Sequence, residues 1–396
     1  MQAKNIRIKD YNYPLPENRI AKYPLPVRDE SKLLVYNHET IQEHIFRELP
    51  AQLPENSLLV FNTTKVIRAR LQFKKSTGAV IEIFCLEPFQ PSDYALALQA
   101  KNTCQWKCLI GNLKRWKESE IALKIDNTCT LKARIIERKE DAFIIQFDWN
   151  ETFTFSQILE KTGAIPIPPY LNRASEEIDT LRYQTVFSKY EGSVAAPTAG
   201  LHFTPELLEK LPQNQIDITQ LTLHVGAGTF KPVKTETIGE HHMHTEVFSF
   251  SIELLDKILE YEHIVAVGTT AVRSLESIYQ IGAKLIQESA SPLHISQWES
   301  YELPKYNKDK AINAIKNHMK SLGVNELTAK TDILIAPGYD FHIISGMLTN
   351  FHQPQSTLLL LVSALVGDKW KEIYDYALKN NFRFLSYGDS SLLFKS

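Results

Sequence analysis

A mixed α/β fold with a small all-β unit set into a larger α/β body is the class this sequence predicts, and three observations carry that expectation. At 396 residues the chain exceeds what one core usually supports, because single cores stop growing at about 250–300 residues. From Gly78 to about Phe147, short segments rich in β-branched and aromatic residues follow one another, with turn signals roughly every ten residues. On either side the grammar changes to strand, Gly-containing turn and capped helix, the mark of an α/β core.

The inserted unit reads as AVIEIF, DYALALQA, QWKCLI, IALKI, LKARIIE and AFIIQFDW, each taken as a strand. Five to seven such strands suffice to close a small barrel or to form a sandwich. Residues 71–155 are therefore assigned to this unit, and 1–70 with 156–396 to the large domain.

Three strand-to-helix junctions define the α/β part. In AAPTAGLHFTPELLEKL, Thr204 is placed as N-cap, Pro205 as the first helical residue and Glu206 in the first turn. In IVAVGTTAVRSLESI, an apolar strand ends at Gly268 and turns through Thr269 and Thr270 into a helix bearing Arg273 and Glu276. In LTNFHQPQSTLLLLVSALVG, Pro354 breaks the chain, Ser356 caps and Gly367 stops the helix. All three place polar residues where free backbone N–H groups face a strand end, the usual ligand position of α/β folds. Between Trp298 and Thr331, Ile312, Ile315, Met319 and Leu322 recur at helical spacing in a Lys-rich stretch, predicting an added amphipathic surface helix.

With 43% hydrophobic and 23% charged residues, the composition predicts a folded chain throughout. Thr357 to Gly367 is about half the roughly 20 residues that a bilayer-crossing helix requires, and the N-terminus has no apolar signal-peptide core. A cytoplasmic protein without membrane contact is expected, and a monomer. Cys85, Cys104, Cys108 and Cys129 form no CxxC pair and read as reduced core residues. A net charge of −2 argues against non-specific coating of nucleic acid but permits a local basic surface. Lys65, Arg68, Arg70, Lys74 and Lys75 are the candidate, either as phosphate contacts or as the protected edge of a strand.

Several residues are candidates for chemistry. His224-Val-Gly-Ala-Gly-Thr-Phe230 follows the alternating strand LTLHV, so Gly226 and Gly228 can form a backbone cradle or simply a tight hairpin. It is no dinucleotide fingerprint, lacking the third glycine and the following helix. HHMHTEVF puts His242, His244 and Glu246 on one face of a strand, since side chains alternate with period 2, which suits a metal, a hydrogen-bond relay or a packed polar face. His202, beside the Thr204 cap, suits proton abstraction in the neutral form or plain core packing. Asp389, with Tyr387, sits in a glycine turn able to display a carboxylate. No nucleophile elbow, P-loop or CxxC pair is present.

Taken in order, PLPVRDESKLLV, LLVFNTTKVIRARL, IPIPPYLNR, RYQTVF, GSVAAPTAGLHFT, LTLHVGAGTFKPV, HHMHTEVF, VGTTAVRSLES, APGYDF, LTNFHQPQSTLLLLVSALVG and RFLSYGD are similar to the S-adenosylmethionine:tRNA ribosyltransferase-isomerases of queuosine biosynthesis. The resemblance spans nearly the full chain. It implies a large mixed α/β domain interrupted by a small Greek-key β-barrel, no metal and no cofactor, with S-adenosylmethionine consumed as substrate. It further implies that the acceptor is 7-aminomethyl-7-deazaguanine at the tRNA wobble position, and that the products are epoxyqueuosine-tRNA, adenine and methionine.

On that footing His202, His224 and His244 are the candidates for proton transfer, with Asp389 as a further catalytic candidate. Thr198, Gly200, Gly226, Gly228, Thr229, Thr269 and Thr270 are candidates for holding S-adenosylmethionine, and Arg182, Tyr183 and Gln184 for holding the base or anticodon. The five cations from Lys65 to Lys75 are the tRNA-binding candidates. The chain departs from the family pattern at Asn62-Thr63-Thr64-Lys65, where Asn-Asp-Thr-Arg is usual, at Arg68, where Pro is usual, in the Lys-rich stretch from about Lys305 to Lys330, and at Gln353 and Gln355. Two other readings follow: a diverged paralogue that binds tRNA or S-adenosylmethionine without turnover, and a metal-dependent hydrolase built on His242, His244 and Glu246.

Overall fold

The computed structural model describes residues 3–75, 77–226 and 233–395. In chain order the strands are β1 Lys32–Asn37, β2 Thr40–Ile45, β3 Ser57–Asn62, β4 Thr64–Val66, β5 Arg70–Lys74, β6 Val80–Gln90, β7 Thr103–Gly111, β8 Ile121–Lys124, β9 Thr130–Arg138, β10 Phe143–Asp148, β11 Tyr190–Ser193, β12 Ile216–Leu223, β13 Glu246–Ser251, β14 His263–Val267, β15 His294–Ile295, β16 Glu326–Thr331, β17 Gly346–Asn350 and β18 Ser390–Phe394. The α-helices are α1 Tyr94–Gln99, α2 Phe155–Thr162, α3 Glu177–Arg182, α4 Pro205–Lys210, α5 Ile252–Glu260, α6 Thr269–Ile286, α7 Lys308–Leu322, α8 Thr357–Val366 and α9 Trp370–Lys379.

One sheet runs β15-β16-β13-β12-β3-β14-β17-β18-β1-β2. Its centre is parallel: β12, β3, β14 and β17 pair side by side in one direction. Central strands such as Ser57–Asn62 are buried at every position, as expected for a sheet covered on both faces. Antiparallel strands flank this centre, β13 against β12 and β18 against β17, so the class is mixed α/β.

The second sheet is antiparallel, in the order β5-β6-β7-β10-β9-β8. Strands β8, β9 and β10 form a meander whose last member lies beside β7, a Greek-key arrangement. The two edge strands, β5 and β8, approach within 8 Å without a hydrogen-bonded ladder, so the sheet curls into a nearly closed barrel. Its interior is filled by alternate residues of each strand, among them Leu71, Phe73, Ile81, Ile83, Trp106, Leu131, Ile145 and Phe147. The four cysteines are free and buried, three of them in this core strand pattern.

All three predicted junctions form. The Thr204 and Ser356 side chains accept from Leu207 and Leu359 N–H groups, and Gly268 turns β14 into α6 at φ +91°. Two expectations are corrected. DYALALQA is not a strand: Asp93 caps helix α1 by accepting from Leu96 N at 2.9 Å, and Ala97 and Leu98 turn one face into the barrel core. Two apolar residues on a two-turn helix mimic strand alternation over so short a span. The Lys-rich stretch is likewise not helical throughout; α7 ends at Gly323, in the left-handed region, and the chain then forms β16 against β13. Among the described residues no helix is long and apolar enough to cross a membrane.

Candidate active site

The parallel strands β12, β3, β14 and β17 end on the same edge, at Leu223, Asn62, Val267 and Asn350. This is where the backbone leaves the ladders and its polar groups become available. Asn62 stitches two of these ends together, donating to Leu223 O at 3.0 Å and accepting from Leu223 N at 3.0 Å and Thr64 N at 3.2 Å. The segments that follow, including His224 and Gly226, face the barrel across a cleft of about 1120 Å³. Tyr94 and Leu98 line its barrel side; Lys189, Glu191, Thr222, His224, Gly226, His244 and Glu246 line the other.

His224 stacks on the Tyr94 ring, centroids 4.2 Å apart and planes 18° from parallel. Its Nδ1 is buried without a hydrogen-bond partner among the described residues and lies over Gly192, where a Cβ would stand only 2.6 Å away. Gly192 therefore has to be glycine for this ring to sit there. Burial lowers the His224 pKa to about 4, so the imidazole is neutral at physiological pH.

Glu246 is buried at the start of β13 and pairs with Arg273 of α6. His244 Nε2 lies 3.1 Å from Glu246 Oε1 but off hydrogen-bond alignment, and Gly226 N donates to the same oxygen at 3.3 Å. Burial raises the carboxyl pKa, yet Arg273, His244 and the Gly226 amide outweigh it and hold the group at about 2. His242 and His244 precede the strand instead of lying in it, which overturns the shared-face arrangement, and among the described residues no cluster of three or more His, Cys, Asp or Glu side chains is placed to hold a metal.

A second, smaller cavity has a volume of about 80 Å³. Val225 lines it, between His224 and Gly226 of the larger one. Thr198, Gly268, Thr269, Thr270, Asn350 and His352 are in its wall. Thr198 Oγ1 donates to Asn350 Oδ1 at 2.8 Å, and the His352 ring meets Thr349 Oγ1 at 2.9 Å, with burial lowering its pKa to about 3.

The remaining candidates lie elsewhere. His202 faces neither of these cavities: Nδ1 meets Ser31 Oγ at 2.8 Å and Nε2 meets Asn350 Nδ2 at 3.2 Å. Since the Asn350 amide is a donor, Nε2 accepts and Nδ1 carries the proton. With both nitrogens engaged and burial lowering its pKa to about 3, the ring positions Asn350. Asp389 is also internal, accepting from Lys32 N at 3.1 Å and Arg383 N at 2.7 Å. Gly200 is a packing glycine, as a Cβ would stand 2.5 Å from Phe187. Arg182 donates to the Pro26 and Leu25 carbonyls, Gln184 clamps both backbone groups of Val66 at 3.0 and 2.6 Å, and Tyr183 is fully buried. Gly228 and Thr229 lie outside the described residues.

Among the basic stretch, Lys65 pairs with Glu191, Arg70 with Glu82 and Lys75 with Glu118, and β5 is an edge of the barrel sheet. Arg68 and Lys74 have no ion pair among the described residues. Thr63, at the position of a usual aspartate, is buried in the β3–β12 seam with its hydroxyl 3.1 Å from Leu221 O and 3.2 Å from Thr222 Oγ1. Tyr94, Gly192 and Asn350 were not singled out from sequence as site residues. The Asp93 cap just before Tyr94 was the local signal that α1 exists.

Residues 8–393 match the model of a family described as queuosine biosynthesis protein. A Trichlorobacter lovleyi protein named S-adenosylmethionine:tRNA ribosyltransferase-isomerase is 37% identical over 394 residues, covering 98% of this chain and 99% of the relative. A protein of the same name from a Sulfurihydrogenibium species is 38% identical over 396 residues, covering 98% and 100%. A crystal structure titled S-adenosylmethionine tRNA ribosyltransferase, from Thermotoga maritima, aligns with TM-score 0.46 and 29% identity over 97% of this chain and 99% of that one.

Proposed function

This chain belongs to the queuosine biosynthesis protein family, and from that premise we propose that it transfers and isomerises the ribosyl part of S-adenosylmethionine onto 7-aminomethyl-7-deazaguanine at the tRNA wobble position, releasing adenine and methionine. The observation that carries the reading is the cleft between barrel and parallel-strand edge, into which His224 and His244 both open beside the buried Glu246–Arg273 pair.

The reaction asks for a base and an acid at one place. The sulfonium of S-adenosylmethionine acidifies the ribose 5′ hydrogens, so a neutral imidazole can take one; adenine leaves with a proton supplied to its ring, the acceptor amine attacks the activated carbon, and epoxide closure expels methionine. We assign the two proton transfers to His224 and His244. Stacking on Tyr94 fixes the first ring, and the second lies 3.1 Å from Glu246, itself held ionised by Arg273. His202 and Asp389 are assigned to the frame. The smaller cavity, with Thr198, Thr269 and Thr270, is assigned to one end of S-adenosylmethionine, and Arg68 and Lys74 to tRNA phosphates.

The test is adenine release from S-adenosylmethionine, followed by chromatography, with and without tRNA carrying the modified base. Release that depends on that tRNA supports the proposal. Absence of release with tRNA still bound replaces it with a diverged paralogue that binds without turnover.

A further inference from the structure

The N-terminus of α6 is built unlike a resting helix end. Gly268 occupies its N-cap position, so no side chain caps it; α1, α2, α4, α5, α7 and α8 are each capped by a side-chain oxygen, whereas α3 and α9 also lack such a bond. The first backbone bond into the helix is Val272 N to Gly268 O at 3.2 Å, which leaves the N–H groups of Thr269, Thr270 and Ala271 without a backbone acceptor in the turn. These groups are not in open water: Thr269 and Thr270 are 8% and 9% exposed and line the small cavity.

Thr270 gives the independent sign of an occupant. Its Oγ1 is buried and makes no hydrogen bond among the described residues, an arrangement that costs free energy unless a partner arrives. Among the described residues no carboxylate lines this cavity, while an 18-residue helix directs its positive end there. Asn350 and His352 are also in its wall, and Val225, in the same wall, lies in the chain between His224 and Gly226 of the reaction cleft.

Resting on the reading of S-adenosylmethionine as substrate, we propose that this cavity is the seat of the substrate's amino-acid carboxylate, held by the α6 N-terminal amides and the Thr270 hydroxyl. A carboxylate is an acceptor for several donors at once, which matches a site that presents N–H and O–H groups and an unfilled cap position. The placement sends the sulfonium and ribose toward His224 across Val225.

The experiment compares S-adenosylmethionine with decarboxylated S-adenosylmethionine in the adenine-release assay with saturating modified tRNA, for the natural chain and for Thr270→Val. Val keeps the volume, and since the hydroxyl has no partner in the fold, its loss should leave the melting temperature unlowered. The expected result is that removing the carboxylate lowers kcat/KM by about tenfold or more, chiefly through KM, that Thr270→Val does the same for the intact substrate, and that the variant costs little further with the decarboxylated one. Equal kcat/KM for the two compounds in the natural chain overturns the carboxylate seat while leaving the reaction intact. A Thr270→Val penalty that is the same for both compounds also overturns it, assigning the hydroxyl to packing or another part of the substrate. No adenine release from either compound removes the reading on which the proposal rests.

Discussion

Replacing Glu246 with Gln removes the carboxylate that pairs with Arg273 while keeping the side-chain volume. An ordinary glutamate near 4.5 is held at about 2 here, which at 1.36 kcal/mol per pKa unit corresponds to about 3 kcal/mol of stability. The cost expected from breaking a buried pair and leaving its partner charged, about 3–5 kcal/mol, agrees in size. Because Arg273 is 6% exposed and its Nη2 already lacks a partner, water cannot readily replace the lost acceptor. The pH dependence has a definite sign. A carboxyl whose folded pKa is depressed contributes its full stability above the unfolded value and loses it as pH falls through the folded one. The Gln variant does not titrate there, so the gap between the two proteins should be about 3 kcal/mol near pH 7 and should shrink as pH drops from about 4.5 toward 2. Urea unfolding at pH about 7 and about 3, followed by circular dichroism, reads both values. A gap under about 1 kcal/mol at neutral pH, or one unchanged by acid, would refute the picture of a Glu246 kept ionised by Arg273.

Other expectations address the cleft and its surroundings. Gly192→Ala places a methyl 2.6 Å from His224 Nδ1 and 2.8 Å from a Tyr94 ring carbon, at φ +144°; it should cost about 1–3 kcal/mol in thermal unfolding and lower turnover by displacing the ring, and unchanged turnover would show that the His224–Tyr94 stack is dispensable. His224→Gln should reduce kcat by about a hundredfold with little change in melting temperature, measured as adenine release. Asn62→Ala, which removes contacts to two strand ends, should destabilise by about 2 kcal/mol or more in urea unfolding. In tRNA binding titrated against salt, Arg68→Gln and Lys74→Gln should each flatten the log–log slope by about 0.7–0.9. Lys75→Gln should not, since Lys75 is held by Glu118 and by the Arg115 carbonyl.

The α/β class, the barrel core and the helix starts were legible in the sequence because they rest on local chemistry. Thr204 and Ser356 cap helices by bonding amides three residues on, and the strands of the barrel core bury alternate residues. The same short range explains the misreading of DYALALQA, where two helical turns carry too few apolar positions to separate a period of 3.6 from one of 2. The division of labour among the histidines was out of reach, since His202 is engaged by Ser31 and Asn350, partners 171 and 148 positions away, whereas His224 is placed by Tyr94 of helix α1, set between two barrel strands. The basic stretch likewise counts five cations in sequence, but Glu82, Glu118 and Glu191 neutralise three of them only once the strands are paired. Local propensity and burial pattern act over a few residues and can be read along the chain. Which nitrogen is engaged, which charge is paired and which hydroxyl is left over depend on contacts made between distant segments, and those exist only in the folded molecule.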